Sequence, residues 1–134
     1  MKKLKFFFAL VTFLCFNLFG FSQNSSKIKV SYESELPAKG DAKTSLGYAG
    51  MMGGLQDNII IAAGGANFPK GLPWEGGAKE WSNSIYWLNK GVWVLSKQVL
   101  PSPLAYGASV SLPNGVMVIG GNSKYGASNK VFLI

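Results

Sequence analysis

The chain has 134 residues, 48% of them hydrophobic and 14% charged, with a formal net charge of +7. All 13 basic residues are lysine, so there is no guanidinium fork for bidentate capture of phosphate or carboxylate, and the lysines are too scattered to suggest a nucleic-acid partner. With no histidine, and with its one cysteine, Cys15, inside an N-terminal apolar run, the chain offers no disulfide framework, no thiol nucleophile and no thiolate metal site.

Met1-Lys2-Lys3-Leu4-Lys5, followed by the apolar run from Phe6 to Phe16, has the basic and hydrophobic regions of a secretory signal. Gly20 and Ser22 supply the small residues for a cut before Gln23, which predicts a signal peptide over residues 1–22 and a periplasmic or secreted product. Cleavage removes Lys2, Lys3 and Lys5, lowering the charge from +7 to +4, and leaves no stable membrane anchor. The alternative, a lone transmembrane anchor, has a run somewhat short for a span and no basic stop after it. Leu14 stands where lipoprotein processing at Cys15 requires a small residue.

Residues 23–27 read as a polar tether. The alternation Ile28-Lys29-Val30-Ser31-Tyr32-Glu33 predicts a half-buried strand over 28–33. A near-repeat then dominates. Gly47-Tyr48-Ala49-Gly50 leads into Asn58-Ile59-Ile60-Ile61-Ala62-Ala63 and Gly64-Gly65, and Tyr106-Gly107-Ala108-Ser109 leads into Gly115-Val116-Met117-Val118-Ile119 and Gly120-Gly121. The spacing of 56 residues between the glycine pairs is close to the ~50 residues of a kelch blade and longer than the ~40 to 45 of a WD40 blade. The fold class is therefore all-β, a β-propeller of the kelch type.

A propeller needs ~4 to 8 blades, and fewer than two fit here, so the chain is expected to be an N-terminal fragment that needs missing blades, or self-association, to complete its fold. The first blade is predicted over 46–97, with strands near Leu46–Gly53, Asn58–Ala63, Ser84–Leu88 and Val92–Lys97. An incomplete second blade over 104–134 has its hairpin at Pro113-Asn114-Gly115 and a third strand over Lys130–Ile134. The strand over 28–33 reads as the outer strand of a blade completed by the far end of the propeller.

Between the halves of blade one lies an insertion, Asn67 to Trp81, that blade two lacks. Loops this long in short-turn architecture are functional or disordered, and its aromatics argue for order. It contains Glu75, a carboxylate between Trp74 and two glycines, for which a solvated loop glutamate is the alternative reading. Lys79 and Glu80 read as a solvated pair, with a place in a pocket as the alternative. The glycine pairs, Tyr86 and Trp93 read as structural.

The double glycine followed by Tyr86 and Trp93 resembles a kelch repeat. More narrowly, Gly47-Tyr48-Ala49-Gly50, Ala63-Gly64-Gly65-Ala66-Asn67-Phe68-Pro69, Trp74-Glu75-Gly76-Gly77, Lys79-Glu80-Trp81 and Ala105-Tyr106-Gly107-Ala108-Ser109 resemble the N-acetylneuraminate epimerases, the sialic acid mutarotases, and specifically their cyclically permuted relatives, in which this block opens the chain. The resemblance implies a six-bladed exported propeller, within the usual range of blade number, that interconverts the α and β anomers of free sialic acid. Such a reaction needs only acid–base help, so the resemblance implies no metal or redox cofactor. On this reading Glu75 is the catalytic carboxylate, Asn67, Tyr48 and Tyr106 meet sugar hydroxyls, and Trp74 or Trp81 stacks on a sugar face. Leu104 stands where some relatives carry arginine, so the cation for the substrate carboxylate is expected from other blades. The alternative function is a non-catalytic kelch module that binds glycans or another exported protein. A copper oxidase of galactose-oxidase type is disfavoured by the absence of histidine.

Overall fold

The computed structural model describes residues 27–134; the expected signal peptide and all but Lys27 of the tether lie outside the described residues. Residue contacts separate Met1–Ser31 from a second unit, Tyr32–Ile134, which holds every described strand. Residues 27–39 form no strand, so the expected strand over 28–33 is not formed in this chain. A strand exists through its ladder, and no described strand pairs with this segment.

Ten strands follow: β1 (Ala49–Gln56), β2 (Ile59–Asn67), β3 (Glu80–Trp81), β4 (Ser84–Asn89), β5 (Val92–Val99), β6 (Ala108–Leu112), β7 (Gly115–Ile119), β8 (Asn122–Ser123), β9 (Gly126–Ala127) and β10 (Val131–Leu133). The first sheet runs β1-β2-β4-β5 with all pairs antiparallel, the up-and-down order of a propeller blade. β3 continues the line of β4, pairing Ala66 with Trp81 and Asn67 with Glu80 on the last residues of β2. The second sheet, β10-β7-β6, is three strands of a like blade, and β8 and β9 form a separate small hairpin. The kelch-type propeller fold, with fewer than two blades, is thus present.

Turn chemistry fixes the strands' registers. Asp57 and Asn58 join β1 to β2 with φ of 49° and 62°, and Lys90 and Gly91 join β4 to β5 with φ of 49° and 79°. Positive φ at both central residues is the type I′ geometry that matches the twist of paired strands. Between β6 and β7 the loop positions are Pro113 and Asn114, with Gly115 already paired to Leu112. The proline ring sets the first turn residue, so the Asn-Gly pair sits one position later than in a type I′ hairpin.

The blades meet through their inner strands. Met52, Ala63, Ile85, Leu100, Leu104 and Val118 form the buried cluster between the sheets, with Ile61, Phe132 and Ile134 packed on it. A bulge at the end of the β4–β5 ladder delivers Leu100, whose N–H donates to the Asn83 carbonyl. The crossing segment that follows is clamped to blade one, because Gly65 N–H donates to Leu104 O at 2.9 Å and Leu104 N–H to Ser82 O at 3.1 Å. Gly64, at φ 71°, permits this approach: a Cβ there would lie 2.2 Å from the Leu104 carbonyl oxygen.

The 56-residue repeat is kept in register. Met52 pairs with Ala63 as Ala108 pairs with Ile119, and Gly53 pairs with Ala62 as Ser109 pairs with Val118. Structurally, then, Tyr106 corresponds to Gly50 and not to Tyr48, which the repeated Gly, Tyr and Ala residues align by eye. Ser109 bonds to its own equivalent across the blade junction. Its Oγ donates to Gly53 O at 2.7 Å and accepts from Gly53 N–H at 3.0 Å, while Ser111 Oγ accepts from Leu55 N–H at 2.8 Å.

Candidate functional site on the crossing-loop face

Up-and-down connectivity sends the β1–β2, β4–β5 and β6–β7 turns to one end of the blades, and the insertion, the β5–β6 crossing and the β7–β10 connection to the other. At that second end the two-residue strand β3 stands as a ridge with a cleft on either side. The larger cleft, about 550 Å³, lies between β3 and the β8–β9 hairpin, with Lys79, Trp81, Ser102, Lys124, Asn129 and Lys130 among its walls. The smaller, about 310 Å³, has Lys39, Ser45, Tyr48 and Asn67 in its walls. Glu80 and Trp81 line both.

Lys79 is the fixed cation of this face. Its Nζ lies 4.3 Å from the centre of the Tyr106 ring and 5.2 Å from that of Trp81, within the range where an ammonium is held by the negative face of an aromatic ring. Tyr106 is itself held in the left-handed region at φ 61°, with its N–H donating to Gly50 O at 2.8 Å. Its ring lies on Gly50, where a Cβ would approach within 2.3 Å. A non-glycine residue in that backbone region is strained and persists only where its surroundings hold it.

The expected Lys79–Glu80 pair is not formed. Glu80 pairs instead with Lys70 of the insertion, 3.4 Å away, with both side chains well exposed. Such a pair contributes ~0 to 1 kcal/mol.

The sequence-predicted site residues divide. Tyr48 and Asn67 line the smaller cleft and Tyr106 supports Lys79. Asn67 has a structural duty as well, donating from Nδ2 to Gly47 O at 2.9 Å and so closing the entry to β1. Tyr48 packs on the buried Tyr86, with ring centres 6.2 Å apart. Glu75 and Trp74 belong to a single 3-10 turn, Pro73–Glu75, and line neither cleft. The Glu75 carboxylate accepts the N–H of Leu72 at 3.1 Å, stitching its own loop, while Trp74 is 79% exposed. Sequence reasoning missed the β8–β9 hairpin, which brings Lys124 and Lys130 to the larger cleft; the turn signal of Ser123-Lys124-Tyr125-Gly126 was available to find it.

Three comparisons bear on this arrangement. A model of the N-acetylneuraminate epimerase family matches residues 20–134. The chain belongs to the N-acetylneuraminate epimerase family. An N-acetylneuraminate epimerase of Vibrio vulnificus is 40% identical over 107 residues, 72% of this chain and 27% of the relative. Those of Brucella suis and Haemophilus influenzae are 33% and 37% identical, covering 75% and 69% of this chain and 28% and 26% of theirs. Among solved structures, that of YjhT superposes with a TM-score of 0.61 at 32% identity, over 69% of this chain and 29% of that one. The chain thus spans little more than a quarter of the length of these epimerase relatives.

Proposed function

We propose that this chain forms the opening blades of an exported propeller that speeds exchange between the α and β anomers of free N-acetylneuraminate. The family match over residues 20–134 carries this reading, and a face with two clefts, one of them walled by three lysines, supports it. The reaction is a proton relay. A base takes the proton of the anomeric hydroxyl, the bond from the anomeric carbon to the ring oxygen breaks as that oxygen gains a proton, and the open-chain ketone closes again on its other side.

Two carboxylates of the insertion are candidates for the base. Glu75 is occupied with its own loop, whereas Glu80 lines both clefts beside Lys79. We therefore assign the proton-accepting role to Glu80, with Glu75 supporting the loop that presents it, and let Tyr48 and Asn67 face sugar hydroxyls from the smaller cleft. Trp74, out on the rim, is assigned no sugar contact.

In the complete protein, Glu80→Gln is expected to lower catalysed anomer exchange, followed by NMR, by ~100-fold or more, in line with the usual contribution of a general base. Glu75→Gln, which retains an acceptor oxygen for Leu72, is expected to stay within ~3-fold of wild type, because a single neutral hydrogen bond in a loop is worth about 1 kcal/mol or less. The reverse ranking would return the catalytic role to Glu75. A wild-type protein that binds the sugar without accelerating exchange would establish the non-catalytic binding module instead.

A further inference from the structure

Lys79 is a cation without an anion. It is half-buried on the wall of the larger cleft, clasped by Tyr106 and Trp81, and among the described residues no carboxylate stands within ion-pairing distance of it. The one carboxylate in that wall, Glu80, is turned to Lys70. Lys124 and Lys130 add two more ammonium groups around the same opening. Ordinary surfaces intersperse charges of both signs. Here three lysines and one carboxylate line a concavity, and one of the lysines, Lys79, is held against a strained residue, Tyr106.

We propose that the larger cleft is the subsite for the carboxylate of an acidic monosaccharide and that Lys79 is the residue that meets it, which sets the preference for acidic over neutral sugars. This inference rests on the mutarotase reading for its sugar, and its location comes from the geometry of this chain. In a sugar acid derived from a 2-keto acid, the carboxylate, the anomeric hydroxyl and the ring oxygen are all bonded to one carbon. A cation that anchors the carboxylate must therefore stand within a few ångströms of the base. Lys79 and Glu80 are adjacent in sequence and both line this cleft. Trp81, next along, is half-buried in the same wall, with Lys79 over its ring. Tyr106 and Gly50 are positioning residues: the ring fixes the ammonium, and the missing Cβ makes room for the ring.

The test uses the full-length protein and two probes, N-acetylneuraminic acid and its methyl ester, which differ at the proposed contact by one negative charge and one methyl group. Calorimetric or NMR titration is expected to show wild type preferring the acid by about tenfold or more, the size of a charge-assisted hydrogen bond. Lys79→Met, which keeps apolar packing on Tyr106 and Trp81, is expected to reduce that preference to about twofold or less by lowering acid affinity far more than ester affinity; Lys79→Arg is expected to retain it. A wild type indifferent to the ester, or a Lys79→Met protein with its preference intact, overturns the proposal whether or not the protein exchanges anomers. Loss of preference in Lys79→Met by a protein that catalyses no exchange keeps the subsite and overturns the mutarotase reading.

Discussion

Residue by residue, the fold rests on close approaches that only certain side chains permit. Gly50 combines φ 64° with the face of Tyr106, so Gly50→Ala is expected to cost about 2 to 4 kcal/mol in urea unfolding of the complete protein and to displace Lys79 with the ring. Ser109→Ala removes both bonds to Gly53 and is expected to cost about 1 kcal/mol, a modest figure because the junction is open to water. Tyr86 is fully buried, and among the described residues its hydroxyl, close to Tyr48 and Ser84, finds no well-formed hydrogen bond. Burial, with the nearby Tyr48 adding to it, pushes its phenol up to about 12 from the ordinary 10.0. A raised pKa means that the folded state holds its proton longer than the unfolded chain. The contribution is therefore complete below pH 10 and is lost as pH rises towards 12. Tyr86→Phe is expected to flatten that alkaline loss of stability in pH-dependent unfolding and, by removing an unpaired hydroxyl, to leave stability at neutral pH equal or higher. A steeper alkaline loss in Tyr86→Phe would contradict this. The structural roles of Tyr86 and the glycine pairs were legible in the sequence, because a double glycine after an apolar strand has few other uses. The role of Lys79 was not, since what holds it comes from Tyr106, far along the chain.

Among the elements, strands were easier to anticipate than what lies between them. Each main strand expected within the blades is present, with ends that differ by a few residues, because alternation and turn residues mark the middle of a strand better than its last hydrogen bond. β1 begins at Ala49 and not Leu46, since the Asn67 side chain, and not a ladder bond, holds Gly47 O. The two-residue strands β3, β8 and β9 went unseen because they are too short to show a period, yet they build the larger cleft. The insertion was therefore legible as a loop and not as a surface: Tyr48 and Asn67 line the smaller cleft, while Glu75 and Trp74 line neither. Turn geometry gives a test at this scale. Lys90 adopts φ 49° in the β4–β5 turn, a conformation that asparagine accepts more readily, so Lys90→Asn is expected to raise stability by about 0.5 to 1 kcal/mol in thermal or urea unfolding. Destabilisation by that substitution would mean that Lys90 has a contact outside the turn.

In the whole molecule, one apolar surface awaits a neighbour. Leu55 pairs with Ile60, Ile60 with Leu88 and Leu88 with Trp93, so four apolar side chains cross blade one in a single row; Leu55 and Ile60 are 49% and 46% exposed. Blades of this kind stack on both faces. Residues 23–134 produced alone are accordingly expected to self-associate with rising concentration in sedimentation velocity, and a monodisperse, cooperatively melting monomer would contradict the need for further blades. The central claim concerns where the sugar goes. A crystal structure of the complete protein soaked with N-acetylneuraminate tests it most directly. The account predicts the sugar beside Trp81 with its carboxylate about 3 Å from Lys79 Nζ, and its anomeric carbon facing Glu80. A sugar bound away from the β3 ridge, with the Lys79 ammonium left on its two rings and no anion near it, would contradict the account.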